Sequence, residues 1–138
     1  MAVLRMIKPL NVPFFCEYFD IDQDGNIYSK ERMVKCKSGK YRKKRSFKIK
    51  SRINWNGYIK FQLRADKKML NIYAHRAIAE TFIPKIDGKN VVNHKDGVKL
   101  NNSIHNLEWV TQSENLLHAI RIGLKKYKKG CTSKTCNL

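Results

Sequence analysis

The sequence predicts an α+β fold, in which a basic, antiparallel β-rich region over residues 14–74 precedes a strand-strand-helix unit inside residues 75–123. Three observations carry this. Short apolar alternations between residues 14 and 74 are separated by turn chemistry at Asp24-Gly25, Asn54-Trp55-Asn56-Gly57 and Ala65-Asp66-Lys67-Lys68. Further on, the apolar runs Val91-Val92 and Leu107-Glu108-Trp109-Val110 frame an asparagine-rich loop, and Thr111-Gln112-Ser113-Glu114 has the pattern of a capping box that opens a helix. The formal charge is +18 on 138 residues, a self-repulsion best relieved by a polyanionic partner, so nucleic acid leads and an anionic membrane surface trails.

Residues 1–13 carry two prolines and no sustained period, which predicts an irregular lead-in. The apolar positions Phe14-Phe15, Tyr18-Phe19, Ile21 and Ile27-Tyr28 predict a hairpin with its turn at residues 23–26. Asp20, Asp22 and Asp24, with Glu31 in the twelfth place, also fit the spacing of a calcium loop. A hairpin is the better reading, because Ile27-Tyr28 has strand character and no amphipathic helix precedes Asp20.

Residues 35–52 hold ten Lys and Arg and no acid, and residues 121–138 add six more, so these two stretches contribute +16 of the +18. Alternation in Phe47-Lys48-Ile49-Lys50 sets apolar side chains on one face of a strand and lysines on the other. Lys43, Lys44, Arg45, Lys48, Lys50 and Arg52 are therefore expected to contact phosphates rather than form a merely solvated run. The next strand has Ile59, Phe61 and Leu63 on one face and Tyr58, Lys60, Gln62 and Arg64 on the other, and Met69 to Ala74 is its partner. A helix over residues 74–83 ends at Pro84. His75 is expected to play a structural part at its start, since no second ligand lies near it in sequence.

The start of the chain is interrupted by Arg5, Lys8 and Pro9 before any apolar stretch long enough for a membrane, so a cytoplasmic location is the default expectation. Of the four cysteines, Cys16, Cys36, Cys131 and Cys136, only the last two are close together. Free thiols in a reducing compartment fit that spacing better than a zinc knuckle.

The stretch VVNHKDGVKLNN, followed by NLEWVTQSEN, resembles the HNH nucleases, in particular their phage and intron-encoded homing endonuclease branch. A weaker resemblance runs upstream through residues 75–84, and together they cover most of residues 14–122. The chain then divides into the lead-in, a DNA-contacting β region over 14–74, a nuclease module over 75–123 and a basic tail over 124–138. No separate helix-turn-helix is legible after residue 123, which leaves sequence specificity low or supplied by a protein partner.

What the resemblance implies is a metal-dependent endonuclease acting on double-stranded DNA, with a phage-encoded protein in a bacterial host as the natural setting. His94 is its general base, a role that an imidazole titrating near neutral pH suits on chemical grounds too. Asn106, twelve residues on, is expected to orient that ring, and an Asx turn closing the loop is compatible with the same residue. Asn101 and Asn102 are read as loop-shaping, and His105 as an exposed neighbour. By the same resemblance, Asn93 and Asn115 ligate one Mg2+ or Mn2+, with His118 as understudy to Asn115. Some members carry aspartate where this chain has Asn93, so a weaker hold on the ion is expected. A single site of this kind nicks one strand, and the oligomeric state stays open, a monomer being allowed. The alternative is a nucleic-acid-binding protein that keeps the fold with little or no cleavage.

Overall fold

A computed structural model describes residues 6–126, so most of the basic tail, with Cys131 and Cys136, lies outside the described residues. The N-terminal sheet has the strand order β1-β2-β3-β6, with β1 Ile7–Pro9, β2 Phe19–Asp22, β3 Ile27–Ser29 and β6 Phe47–Lys48. The irregular lead-in is corrected here, since Ile7 to Pro9 pair with Asp22 to Asp20. No local period marks that strand. It forms because Leu10, with no exposed surface, enters the core, and Pro9 is tolerated on an edge where its missing N–H is not needed.

The predicted hairpin β2-β3 is present, and its acidic turn is satisfied internally. Buried Asp22 accepts hydrogen bonds from the Asp24 and Asn26 amides at 3.1 and 2.8 Å, from Asn26 Nδ2 at 3.0 Å and from the Tyr28 hydroxyl at 3.0 Å. Those bonds build a turn around the carboxylate. Gly25 sits in it with φ +83°, and a Cβ there would lie 2.7 Å from Ile78 Cδ1.

Strands β4 Arg32–Lys35 and β5 Tyr41–Lys44 form a separate antiparallel ribbon that carries much of the basic run. A three-stranded sheet follows, β7 Arg52–Ile53, β8 Ile59–Ala65 and β9 Lys68–Tyr73. The alternation in β8 is seen as read, with Phe61, Leu63 and Ala65 buried and Gln62 and Arg64 exposed. Its turn to β9 puts Asp66 and Lys67 at φ 44° and 67°, the double left-handed geometry of tight hairpins.

Helix α1 Ala74–Phe82 is the hub of the molecule. It packs against β2, β8 and β9 and also against β10 Val91–His94 and β11 Leu107–Val110, through Ala74, Ala77, Ile78 and Ala79, all buried. Ile83 is already extended, as expected immediately before Pro84. The strands β10 and β11 pair from Val91↔Val110 to His94↔Leu107, and α2 Gln112–Arg121 follows at once. Both bonds of the capping box, Thr111 with Glu114, are formed. Gly123 closes the helix at φ +80°. Leu116, Leu117 and Ile120 have the helical spacing of a core face, yet Leu117 is 59% exposed.

Candidate active site

The geometry starts from the end of β10, where the chain leaves the core at His94 and must return to it at Leu107. Asn106 makes that return compact. Its Oδ1 accepts from the Asp96 amide at 3.1 Å, and its Nδ2 donates to Asp96 Oδ1 at 2.9 Å and to the Asn101 carbonyl at 2.8 Å. Asp96 in turn accepts from the Val98 amide at 2.8 Å and from Asn101 Nδ2 at 2.7 Å. Hydrogen bonds from Asn101, Val98 and Asn106 hold the Asp96 carboxyl below the usual carboxylate range.

With Asn106 used in that way, the ring of His94 has a different partner from the one expected. Asn102 Oδ1 lies 2.9 Å from His94 Nε2, and both residues are buried at 6% exposure. The orienting role assigned to Asn106 is corrected accordingly: Asn106 shapes the loop, and Asn102 contacts the ring. An amide oxygen can only accept, so in the neutral imidazole this contact places the hydrogen on Nε2 and the lone pair on Nδ1. That is the tautomer a general base requires.

Asn93, His94, Asn115 and His118 line one cleft of about 390 Å3, together with Tyr58 and Lys99. Asn93 Nδ2 donates to Glu108 Oε1 at 2.9 Å, across the Asn93↔Glu108 register of β10 and β11. The carboxylate fixes the amide with its oxygen as the remaining acceptor, and it sets negative charge beside the position where this chain has no aspartate. Capping brings Asn115 into the first turn of α2, beside the cleft. His118 Nε2 donates to the Lys95 carbonyl at 3.0 Å, which ties α2 to the turn after His94.

His75 was expected only at a helix start, yet its ring centroid is 5.2 Å from that of His94 and 5.0 Å from that of Tyr58. Burial, then the neighbouring His94 and Arg76, pushes its pKa down to about 4. Sequence spacing could not reveal this pair, since nineteen positions separate the two rings.

The basic residues are not gathered as a single row. Lys44, Lys48, Lys50 and Arg52 line a cavity of about 440 Å3, with Arg64 opposite them. Lys44 and Arg64 also border a larger cavity of about 820 Å3, where Arg32, Lys35, Lys37 and Arg42 join them. Arg45 is exposed. Lys43, although no acid lies beside it in sequence, forms an ion pair with Glu31 at 2.8 Å. Arg32 and Arg64 were missed because their strands meet the basic run only after folding.

Comparison with known proteins adds four findings. A family model for HNH endonucleases matches residues 72–117. The uncharacterized HNH endonuclease L245 of Acanthamoeba polyphaga mimivirus is 42% identical over 89 residues, 64% of this chain and 27% of that protein. The DNA endonuclease I-HmuI of Bacillus phage SP01 is 31% identical over 112 residues, 81% of this chain and 57% of that protein. A solved structure of DNA binding and cleavage by the HNH homing endonuclease I-HmuI superimposes with a TM-score of 0.67 at 29% identity, covering 88% of this chain and 62% of that one. The chain thus spans between about a quarter and three fifths of these relatives. Residues 72–117 thus match the HNH endonuclease family, and the relatives that the chain resembles include a phage DNA endonuclease and an HNH homing endonuclease of solved structure.

Proposed function

We propose that this chain is a metal-dependent endonuclease that hydrolyses phosphodiester bonds of duplex DNA, nicking one strand with His94 as general base. The observation that carries this reading is the imidazole of His94 in the cleft, with Nε2 engaged by Asn102 and Asn93 and Asn115 beside it. Nδ1 takes a proton from water, whose oxygen attacks phosphorus as the bond to the leaving 3′ oxygen breaks. His75 and Tyr58 pack behind the ring and restrict its rotation. The amide oxygens of Asn93 and Asn115 are hard donors that fit Mg2+ or Mn2+, with water and phosphate oxygens completing the shell. Among the described residues no three His, Cys, Asp or Glu side chains cluster as a metal site, so the ion relies on neutral donors, on DNA and on the nearby Glu108 charge. When bound, such an ion stabilises negative charge on the phosphate and the departing oxygen.

Support for DNA as substrate comes from the relative I-HmuI and from the basic cavities beside the nuclease module. The neutral amide of Asn93 favours a second reading, a DNA-binding protein of this fold with weak or no cleavage. Nicking of supercoiled plasmid separates the two. The wild-type chain should nick in Mg2+ or Mn2+ and not in EDTA. His94→Ala should lose about 10² to 10⁴ in rate while its mobility-shift affinity for duplex stays the same. Activity retained by His94→Ala removes that residue from the mechanism, and a wild-type chain that nicks in neither metal supports the binding protein.

A further inference from the structure

From the unusual display of one aromatic ring we infer that Trp55 is a base-stacking wedge, which enters the duplex within a few base steps of the phosphate that lies over His94. Trp55 is 93% exposed, far beyond the other large apolar residues that meet solvent among the described residues. Single exposed apolar residues are ordinary on protein surfaces. This one differs in how firmly its backbone is held and in what holds it.

The ring stands on the turn between β7 and β8. Asn54 Oδ1 accepts from the Asn56 and Tyr58 amides at 3.1 and 2.9 Å, and the Asn54 carbonyl accepts from the Gly57 amide at 2.9 Å. Gly57 supplies the left-handed φ of +83° that this turn requires. A second set of contacts fixes the turn to the cleft. Lys99, from the loop after His94, donates to the Asn56 carbonyl at 2.8 Å, and its ammonium lies 4.8 Å from the centroid of the Tyr58 ring. Tyr58 lines the cleft, and its ring centroid is 6.1 Å from that of His94. From Trp55 to Tyr58 the chain spans at most about 11 Å, or about three base steps at ~3.4 Å each.

A rigid aromatic ring at that distance, with a lysine at its base to meet a phosphate, has the features of an intercalating side chain. Such residues unstack a base step and let the backbone bend toward the protein. Flexible pyrimidine-purine steps yield most readily, so the wedge would bias where the strand is cut without reading base edges.

This inference rests on the nuclease reading above, and its test separates the two. The chain has two tryptophans, and the other, Trp109, is 2% exposed, so acrylamide quenching reports on Trp55. In EDTA, a short mixed-sequence duplex should quench Trp55 emission and shield it from acrylamide. Trp55→Ala should weaken duplex affinity about tenfold, with Trp55→Phe recovering part of the loss. In Mg2+ or Mn2+, nicks by the wild type should cluster near pyrimidine-purine steps, a bias that Trp55→Ala removes. A duplex that binds and is nicked while Trp55 stays as open to acrylamide as in the free protein overturns the wedge and leaves the nuclease standing. Shielding of Trp55 with no nicking in either metal supports the wedge and overturns the nuclease.

Discussion

An imidazole packed against a second imidazole and two tyrosines gains nothing from a proton. His75 is in that position, 5.2 Å from His94 between ring centroids and next to Tyr58 and Tyr73, and its pKa is lowered to about 4, first by burial. Unfolded, it would titrate near ~6.5. Between those values the unfolded chain binds more protons than the folded one, so stability is fully present above about pH 6.5 and falls as the pH drops toward 4. The loss is at most about 3 kcal/mol, and less because the ring is partly exposed. Urea unfolding at pH 7 and 4.5 measures it, and His75→Phe should flatten the difference. An equal pH dependence in both proteins would mean that some other group carries it. The depressed carboxyls Asp96 and Glu114 act with the same sign, from their unfolded values near ~4 downward, below most of this window. At this scale the sequence was informative about which residues share the cleft, since Asn93, His94 and Asn115 all line it. It was ambiguous where three asparagines share one loop and chain spacing alone could not say which amide meets the ring. Asn106 lies opposite the start of that loop and is used up by Asp96 and Asn101, which leaves the contact to Asn102.

Among the elements, α1 sets the tolerances. The β2-β3 hairpin comes so close to it at Gly25 that an added Cβ would meet Ile78 Cδ1 at 2.7 Å, at a φ of +83°. Gly39 has nearly the same φ, +81°, with nothing within 4 Å. Gly39→Ala should therefore cost only the backbone strain, about 1 kcal/mol. Gly25→Ala adds overpacking and should cost about 2–4 kcal/mol in all. Chemical denaturation of the two variants compares them directly, and equal losses would show that the helix contact is slack. Elements with strong local signals, such as α2 with its capping box, were legible to within a residue or two. Strand β1 was not, because only its pairing with β2 and the burial of Leu10 make it a strand. Leu117 misled for a related reason: helical spacing defines a face, but nothing in sequence says how far the neighbouring layer extends over it.

Across the whole molecule, folding converts a linear excess of charge into cavities walled by cations from distant strands. Arg42 and Lys44 on β5 face the same space as Arg64 on β8. If duplex phosphates occupy it, changing these three to Gln should flatten the log-log salt dependence of binding by up to about 2.7, at roughly 0.9 per lost contact. Lys43→Gln should change it little, because Glu31 already neutralises that lysine. A salt titration of binding decides, and an unchanged slope in the triple variant would make the cavity walls a solvated surface. The charge itself was plain in the sequence; which cations meet was not, since that depends on pairing between residues far apart in the chain. The helix α1 that joins the halves has a further consequence. It packs against β2, β8 and β9 and also against β10 and β11, so one helix is shared by the basic strands and the strands of the cleft. Under the nuclease reading, a helix shared in this way acts as the spine of a caliper: the cut would fall at one constant offset from wherever the basic strands meet DNA.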